Sequence, residues 1–166
     1  MKHLLFLSLL LTTVADVFGQ EKVQLSPSAS VVFECSPERE TLDFVTIYAC
    51  ERSSIIYQAL LVDFRSLEGF DFVKEDLDEF YRGYIDGQSE KVGAEPFNER
   101  KVIINTQEGR EFSMIVTINN QTFIWHNRFI LKDKICYSLV CVVPNKKKRK
   151  FQKKSREFFN TFELLL

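Results

Sequence analysis

The sequence lacks an excess of charge of either sign, and it is poor in glycine, proline and histidine. Its 22 lysine and arginine residues nearly balance 23 aspartate and glutamate residues, which leaves a formal net charge of −1. Such a balance supplies no overall field that would draw the protein to nucleic acid. Six glycines and four prolines stand against sixteen phenylalanines. The composition therefore excludes disorder and collagen, and it predicts a globular core rich in aromatic side chains.

The N-terminus has the parts of a secretory signal peptide. A short basic start precedes an apolar run over residues 4–14, and residues 17–19 offer a cleavage site before Gln20. The apolar run is too short to span a bilayer, which takes about 18–20 apolar residues, and no later run reaches that length. We therefore expect a signal peptide at 1–19 and a single exported α+β domain at 20–166, in the periplasm or the medium and without a transmembrane helix.

All four cysteines lie in the expected mature chain, where an oxidising compartment permits disulfides. The candidate disulfide cysteines are Cys35, Cys50, Cys136 and Cys141. Cys136 and Cys141 are five positions apart in one predicted strand, so they point to opposite faces and should not pair with each other. We then expect Cys35 and Cys50 each to pair with a C-terminal cysteine, with four buried free thiols as the alternative.

The order of the predicted elements is strands, a helix, strands and a second helix. Runs of β-branched and aromatic residues predict six strands, over 31–35, 44–50, 55–64, 112–118, 122–131 and 135–143. Apolar residues at helical spacing predict an amphipathic helix over 77–85, with Gly93 near its end. A two-residue turn at Asn119 and Asn120 sets Val116 opposite Phe123 and Met114 opposite Trp125. The register of the next hairpin stays open, since a slip of one residue would swap its faces.

The C-terminal segment combines basic residues with phenylalanines. Eight basic residues fall within the eleven positions 146–156. We select seven as candidate binding residues for an anionic partner: Lys146, Lys147, Lys148, Arg149, Lys150, Lys153 and Lys154. Phe151, Phe158, Phe159, Phe162 and Leu165 fit one apolar stripe of a helix that runs to the end of the chain. We expect this stripe to dock on the sheet and the basic residues to face water.

Several blocks of the sequence resemble the PsbP-like superfamily. That superfamily contains the extrinsic oxygen-evolving subunit of photosystem II, a eukaryotic Ran-binding import factor and many small exported bacterial proteins of unknown role. The similar blocks are residues 31–33 leading to Pro37, 77–85, 109–112, 128–139 and the closing 158–162. The resemblance spans 30–165 and implies an antiparallel sheet of about six strands flanked by helices. The cysteines and the run 146–150 depart from the family pattern, so no family binding residue is carried over.

The residue pattern points to binding rather than catalysis. His126 is the only histidine of the expected mature chain, and no metal-ligand spacing, phosphate loop or nucleophile motif is present. We expect an exported, non-enzymatic binding or accessory protein, with no cofactor or metal and with an envelope protein or an anionic surface as its partner. One alternative is binding to a membrane or polyanion through 146–156. A second is an enzyme that uses His126 and Cys141 as a dyad.

Overall fold

The structure, a computed structural model, describes residues 19–67 and 76–165, and for 66 and 147–151 it describes the backbone alone. The expected signal peptide up to residue 18 lies outside the described residues. The strands are β1 (Glu21–Ser26), β2 (Ala29–Phe33), β3 (Glu38–Leu42), β4 (Val45–Arg52), β5 (Ile55–Asp63), β6 (Pro96–Ile104), β7 (Gln107–Ile118), β8 (Gln121–Lys132), β9 (Ile135–Pro144) and β10 (Glu163–Leu164). The helices are α1 (Leu77–Val92) and α2 (Lys148–Asn160).

The architecture is α+β with two antiparallel sheets, which corrects the expected strand number. Seven strands form the main sheet in the order β3-β4-β5-β9-β8-β7-β6, and β1, β2 and β10 form a second sheet. The prediction of about six strands missed β1, β3, β6 and β10. The edge strand β3 is exposed along its whole length, and β6 is largely exposed. Solvated edge strands rich in charge carry no alternating hydrophobic signal.

Two-residue turns fix the hairpins of the main sheet. Asn119 and Asn120 have φ values of 49° and 62°, the left-handed conformation that such a turn requires. The predicted register of this hairpin is confirmed, with Met114 opposite Trp125, although Trp125 is only partly buried. The next turn, at Asp133 and Lys134, also has positive φ at both positions and settles the register that the sequence left open.

The main sheet lies between two layers. On one face, α2 and the second sheet cover a core that includes Phe33, Tyr57 and Phe158. On the other face, α1 covers a core that includes Phe112 and Phe129. This arrangement confirms a sheet flanked by helices. No helix in 19–67 or 76–165 is both long enough and apolar enough to cross a membrane.

The two helices differ in how well the sequence predicts their ends. Gly93 ends α1 in the left-handed conformation, with φ of 65° and its N–H donated to the Ser89 carbonyl, as the sequence indicates. The prediction that α2 runs to the end of the chain is wrong. The helix stops at Asn160. Beyond it, Glu163 and Leu164 pair with β2, and Leu165 is exposed instead of extending the apolar stripe.

The cysteine prediction is confirmed in one part and wrong in another. Cys136 and Cys141 are free and buried, and they belong to the cores on opposite faces of the sheet. Cys35 and Cys50 form a disulfide with each other, so the expected pairing of each with a C-terminal cysteine is wrong. The reason is tertiary, because the segment after β2 lies over β4 and places the two Cα atoms 6.0 Å apart.

Candidate functional site

A polar groove of about 430 Å³ lies between α2 and the far strands of the main sheet, β6, β7 and β8. This volume is within the range of small-ligand sites. The side chains that give the groove its chemistry are Arg100, Glu111, Ser113, His126, Gln152, Ser155 and Arg156. They come from three strands and one helix, so only the tertiary fold brings them together.

The alternation of β7 explains why the groove is polar. Phe112, Met114 and Val116 point toward α1 and are buried in its core. Glu111 and Ser113 lie between them in the sequence, and therefore point to the opposite face, toward α2. One strand thus supplies an apolar surface to one layer and a polar surface to the other.

Glu111 organises the wall of the groove through two arginines. Its Oε2 accepts hydrogen bonds from Arg100, with Nε at 2.8 Å, and its Oε1 accepts one from Nε of Arg128 at 2.5 Å. Arg128 also donates from Nη1 to the Phe159 carbonyl at 2.8 Å and lies over the Phe159 ring. Two guanidinium groups share one carboxylate, so this cluster keeps a net positive charge while it fastens the end of α2.

The expected neighbours His126 and Cys141 are directly opposite each other on β8 and β9. The Nδ1 atom of His126 lies 2.8 Å from the Ser113 hydroxyl, which turns the imidazole toward the groove. Burial raises the pKa of the Cys141 thiol to about 12, and a hydrogen bond with Ser155 lowers it in part. A thiol with such a pKa stays protonated at neutral pH, the opposite of an activated nucleophile.

The basic residues of α2 divide into two groups. Lys153 is 80% exposed and pairs with Glu157 at 3.7 Å, and Arg156 lines the groove from the exposed side of the helix. Lys154 instead binds Glu34 at 2.7 Å, a hydrogen bond that raises its pKa and ties α2 to the segment after β2.

The remaining candidate binding residues lie just before α2 and in its first turn. Lys146 is exposed. The side chains of Lys147, Lys148, Arg149 and Lys150 lie outside the described part of the chain. Their role in binding therefore stays a prediction, whereas Phe158, Phe159 and Phe162 are buried as the docking prediction requires.

A second charged cluster, on the α1 side, surrounds a buried arginine. The Arg110 side chain is only 6% exposed, and it binds Asp78 of α1 and Glu108, the latter at 2.6 Å. Its guanidinium also lies 4.9 Å from the centre of the Tyr81 ring. The Arg110 guanidinium is paired with the carboxylates of Asp78 and Glu108. This cluster therefore holds α1 in place rather than offering a binding site.

Sequence reasoning missed Arg100, Glu111, Ser113 and Arg128 as parts of one site. Glu111 and Arg128 lie in blocks that resemble the PsbP-like family, but the sequence pattern of those blocks predicts only that they belong to strands. The available signal was the alternation of polar and apolar residues along β7. Arg100 had no such signal, because it follows an irregularity in the pairing of β6 with β7.

Comparison with solved structures identifies the fold. A cyanobacterial PsbP (CyanoP) from Synechocystis sp. PCC 6803 has a TM-score of 0.64 and 7% identity, over 93% of this chain and 98% of that one. A Pseudomonas aeruginosa protein of unknown function, PA94, has a TM-score of 0.54 and 8% identity, over 86% and 94%. LpqN, involved in cell envelope biogenesis of Mycobacterium tuberculosis, has a TM-score of 0.53 and 7% identity, over 89% and 91%.

These structures show that the chain has a PsbP-like fold, as the resemblance implies. No protein-family model matches the sequence, and no curated protein matches it. At such identities the likeness concerns the fold alone, and it assigns no role to any residue of the groove.

Proposed function

We propose that this protein is exported to the periplasm or the medium and acts there as a non-enzymatic accessory protein that binds a partner. The fold supports this role, since one neighbour is a PsbP and another is described as involved in cell envelope biogenesis. The Cys35–Cys50 disulfide supports an oxidising compartment. The raised pKa of Cys141 supports a role without a thiolate nucleophile.

One observation carries the proposal: α2 buries its phenylalanines and turns its cations outward. Phe158 and Phe159 are buried against the sheet and the β2 layer, whereas Lys153 and Arg156 are exposed, with Arg156 beside the groove. A helix that only closed the core would not need a basic outer face. This face favours an anionic partner, and an anionic membrane surface is the specific candidate.

The test is co-sedimentation with phosphatidylcholine vesicles that contain or lack phosphatidylglycerol, at low and high salt. We expect the mature protein to bind the anionic vesicles at low salt and to be released by salt, which screens exposed charges. Changing Lys146, Lys147, Lys148 and Lys150 to glutamine should weaken binding, because each cation near an anionic surface contributes about 1 kcal/mol.

A control variant removes four positive charges elsewhere. Arg39, Arg82, Lys91 and Lys134 are exposed and lie outside α2, so changing them to glutamine produces the same change in net charge. Equal weakening by both variants would mean that net charge alone governs binding. Equal binding by the wild type and the α2 variant would remove the basic segment as a binding surface.

The enzyme alternative has its own test. A thiol-reactive probe that labels Cys141 in the native protein, with labelling lost in His126→Ala, would support a Cys–His dyad and contradict the proposal. We expect no labelling of the native protein near neutral pH, since Cys141 is buried and its pKa is raised to about 12.

A further inference from the structure

We infer that the groove between α2 and strands β6–β8 is a specific binding site for a phosphate ester, held chiefly by the guanidinium groups of Arg100 and Arg156. This inference rests on the proposed binding role of the α2 side and names the chemistry of the ligand. It differs from adhesion of the lysine segment to a surface, because it requires a groove lined by defined residues.

The groove has the size and the lining of a ligand site. Its volume of about 430 Å³ accommodates a small molecule or a lipid headgroup. The hydroxyl of Ser113 and the amide of Gln152 line it, together with buried Ser155, whose hydroxyl is hydrogen-bonded to Cys141. Hydroxyl and amide groups donate hydrogen bonds to phosphate oxygens without adding charge.

The charge of the groove favours an anion. Glu111 accepts hydrogen bonds from both Arg100 and Arg128, so its single negative charge is shared between two cations. The lining itself holds two arginines, Arg100 and Arg156, and two glutamates, Glu99 and Glu111, so the positive excess of the cluster comes from Arg128, which binds Glu111 behind the wall. Arg156 forms no ion pair with any residue that the structure describes. The groove thus keeps a net positive charge.

The two arginines are placed for a shared ligand. Arg100 comes from the sheet and Arg156 from α2, and they line the same groove from opposite walls. The Arg100 side chain is 58% exposed although it binds Glu111, and only its Nε and Nη2 make that contact. Guanidinium groups match the geometry of phosphate oxygens and bind them through paired hydrogen bonds.

The experiment is a titration of the ¹⁵N-labelled mature protein with glycerol 3-phosphate, followed by backbone NMR shifts, with glycerol as the uncharged control. We expect saturable shifts at Ser113, His126, Ser155 and Arg156 with the phosphate ester, and no such shifts with glycerol. Arg156→Gln should weaken the binding about tenfold or more, because a charge-assisted pair of hydrogen bonds is lost.

Arg82→Gln is the matched control, since Arg82 is an exposed arginine of α1 on the other side of the sheet. It should leave the titration unchanged. The inference would be overturned if glycerol 3-phosphate shifted no signal of the groove residues, or if it bound Arg156→Gln as tightly as the wild type. The spectra themselves report whether each variant is folded.

Vesicles separate the two sources of such a phosphate. If glycerol 3-phosphate releases the protein from phosphatidylglycerol vesicles, the ligand is a lipid headgroup. If it titrates the groove without affecting vesicle binding, the ligand is a free phosphate ester. Groove binding without vesicle binding would contradict the anionic-surface role and leave the groove site standing. Vesicle binding without groove shifts would overturn the groove site alone.

Discussion

The two faces of the main sheet differ in how far their apolar core extends. Under α1, the β7 side chains Phe112 and Met114 continue the core toward the edge of the sheet. Under α2, the core includes Ile124 and Ile130 on β8, but it is interrupted beside Cys141, where the neighbouring positions on β8 and β7 are His126 and Ser113. The sheet is therefore closed on one face and open to a polar groove on the other.

The arginines follow the same division. Arg110 under α1 is buried, and acidic partners surround it. Arg100 and Arg156 beside α2 remain accessible, with one carboxylate, Glu111, shared between Arg100 and Arg128. Similar residue types therefore serve packing on one face and remain available for binding on the other, and burial decides between these roles.

The largest expected effect breaks the packing of α2. Phe158 contacts the rings of Phe33 and Tyr57, at 5.3 and 5.2 Å between centroids, and Phe162 lies near Tyr137. Truncating a buried phenylalanine costs about 3–5 kcal/mol. The loss from Phe158→Ser with Phe162→Ser should therefore be about 6–10 kcal/mol, which is comparable with the whole stability of a typical domain, about 5–15 kcal/mol. Near-UV circular dichroism should show an unfolded chain.

The control for this variant changes exposed positions on the same helix. Glu157→Ser with Asn160→Ser introduces the same residues without removing buried rings. It should remain folded. A double phenylalanine variant that unfolds no more easily than this control would contradict docking of α2 on the sheet.

The second effect concerns the disulfide that ties the β2 layer to β4. Cys35→Ser with Cys50→Ser should lower the free energy of unfolding by about 3 kcal/mol, as expected for opening a loop with 15 residues of separation. Urea denaturation measures the loss. In addition, the unreduced mature protein should expose two reactive thiols in denaturant and none when native, since Cys136 and Cys141 are free and buried. Four denatured thiols would contradict the disulfide.

A smaller effect tests the buried polar contacts under α1. The Tyr84 hydroxyl donates to Ser138 Oγ at 2.9 Å, and Ser138 donates to Asn127 Oδ1 at 2.9 Å. Tyr84→Phe should cost about 1–2 kcal/mol, because it removes a partner from a buried hydroxyl. Tyr48→Phe is the control, since Tyr48 is a half-buried tyrosine of β4 on the other face. If both variants lost the same free energy of unfolding, the hydrogen bonds of Tyr84, Ser138 and Asn127 would not contribute to stability beyond an ordinary tyrosine hydroxyl.

The smallest effect concerns the basic segment. Changing Lys146, Lys147, Lys148 and Lys150 to glutamine should alter the free energy of unfolding by less than about 0.5 kcal/mol, as solvated surface positions do. Lys154→Gln should cost more, because Lys154 binds Glu34 at 2.7 Å. Chemical denaturation compares the two. A large loss in the four-lysine variant would assign those residues to the fold and weaken the binding proposal.

Local patterns predicted the elements whose cause is local. The turn at Asn119 and Asn120 was visible because few residues adopt positive φ, and it fixed the register of β7 against β8. Gly93 marked the end of α1 for the same reason. The resemblance to the PsbP-like family added the order of the layers, which the comparisons confirm as the fold.

The candidate site could be predicted only in part. The exposed cations of α2 and the buried phenylalanines of the same helix follow from helical spacing. The groove does not, because Arg100, Glu111 and Arg156 come from elements far apart in the chain. Charged edge strands such as β6 also give no alternating signal, so the strand that carries Arg100 was missed.

Sequence patterns alone identified most of the buried side chains, though not the exposure of Leu165 or the partial exposure of Trp125, and they located the turn between β7 and β8 and the helix that carries the basic residues. Only the tertiary structure decided that Cys35 pairs with Cys50, that α2 stops at Asn160, and that a groove opens beside it. The physical reason is the range of the interactions. Helical and strand periodicity depend on neighbours in the chain, whereas a disulfide, a sheet edge and a groove depend on the distances between segments that meet only after folding.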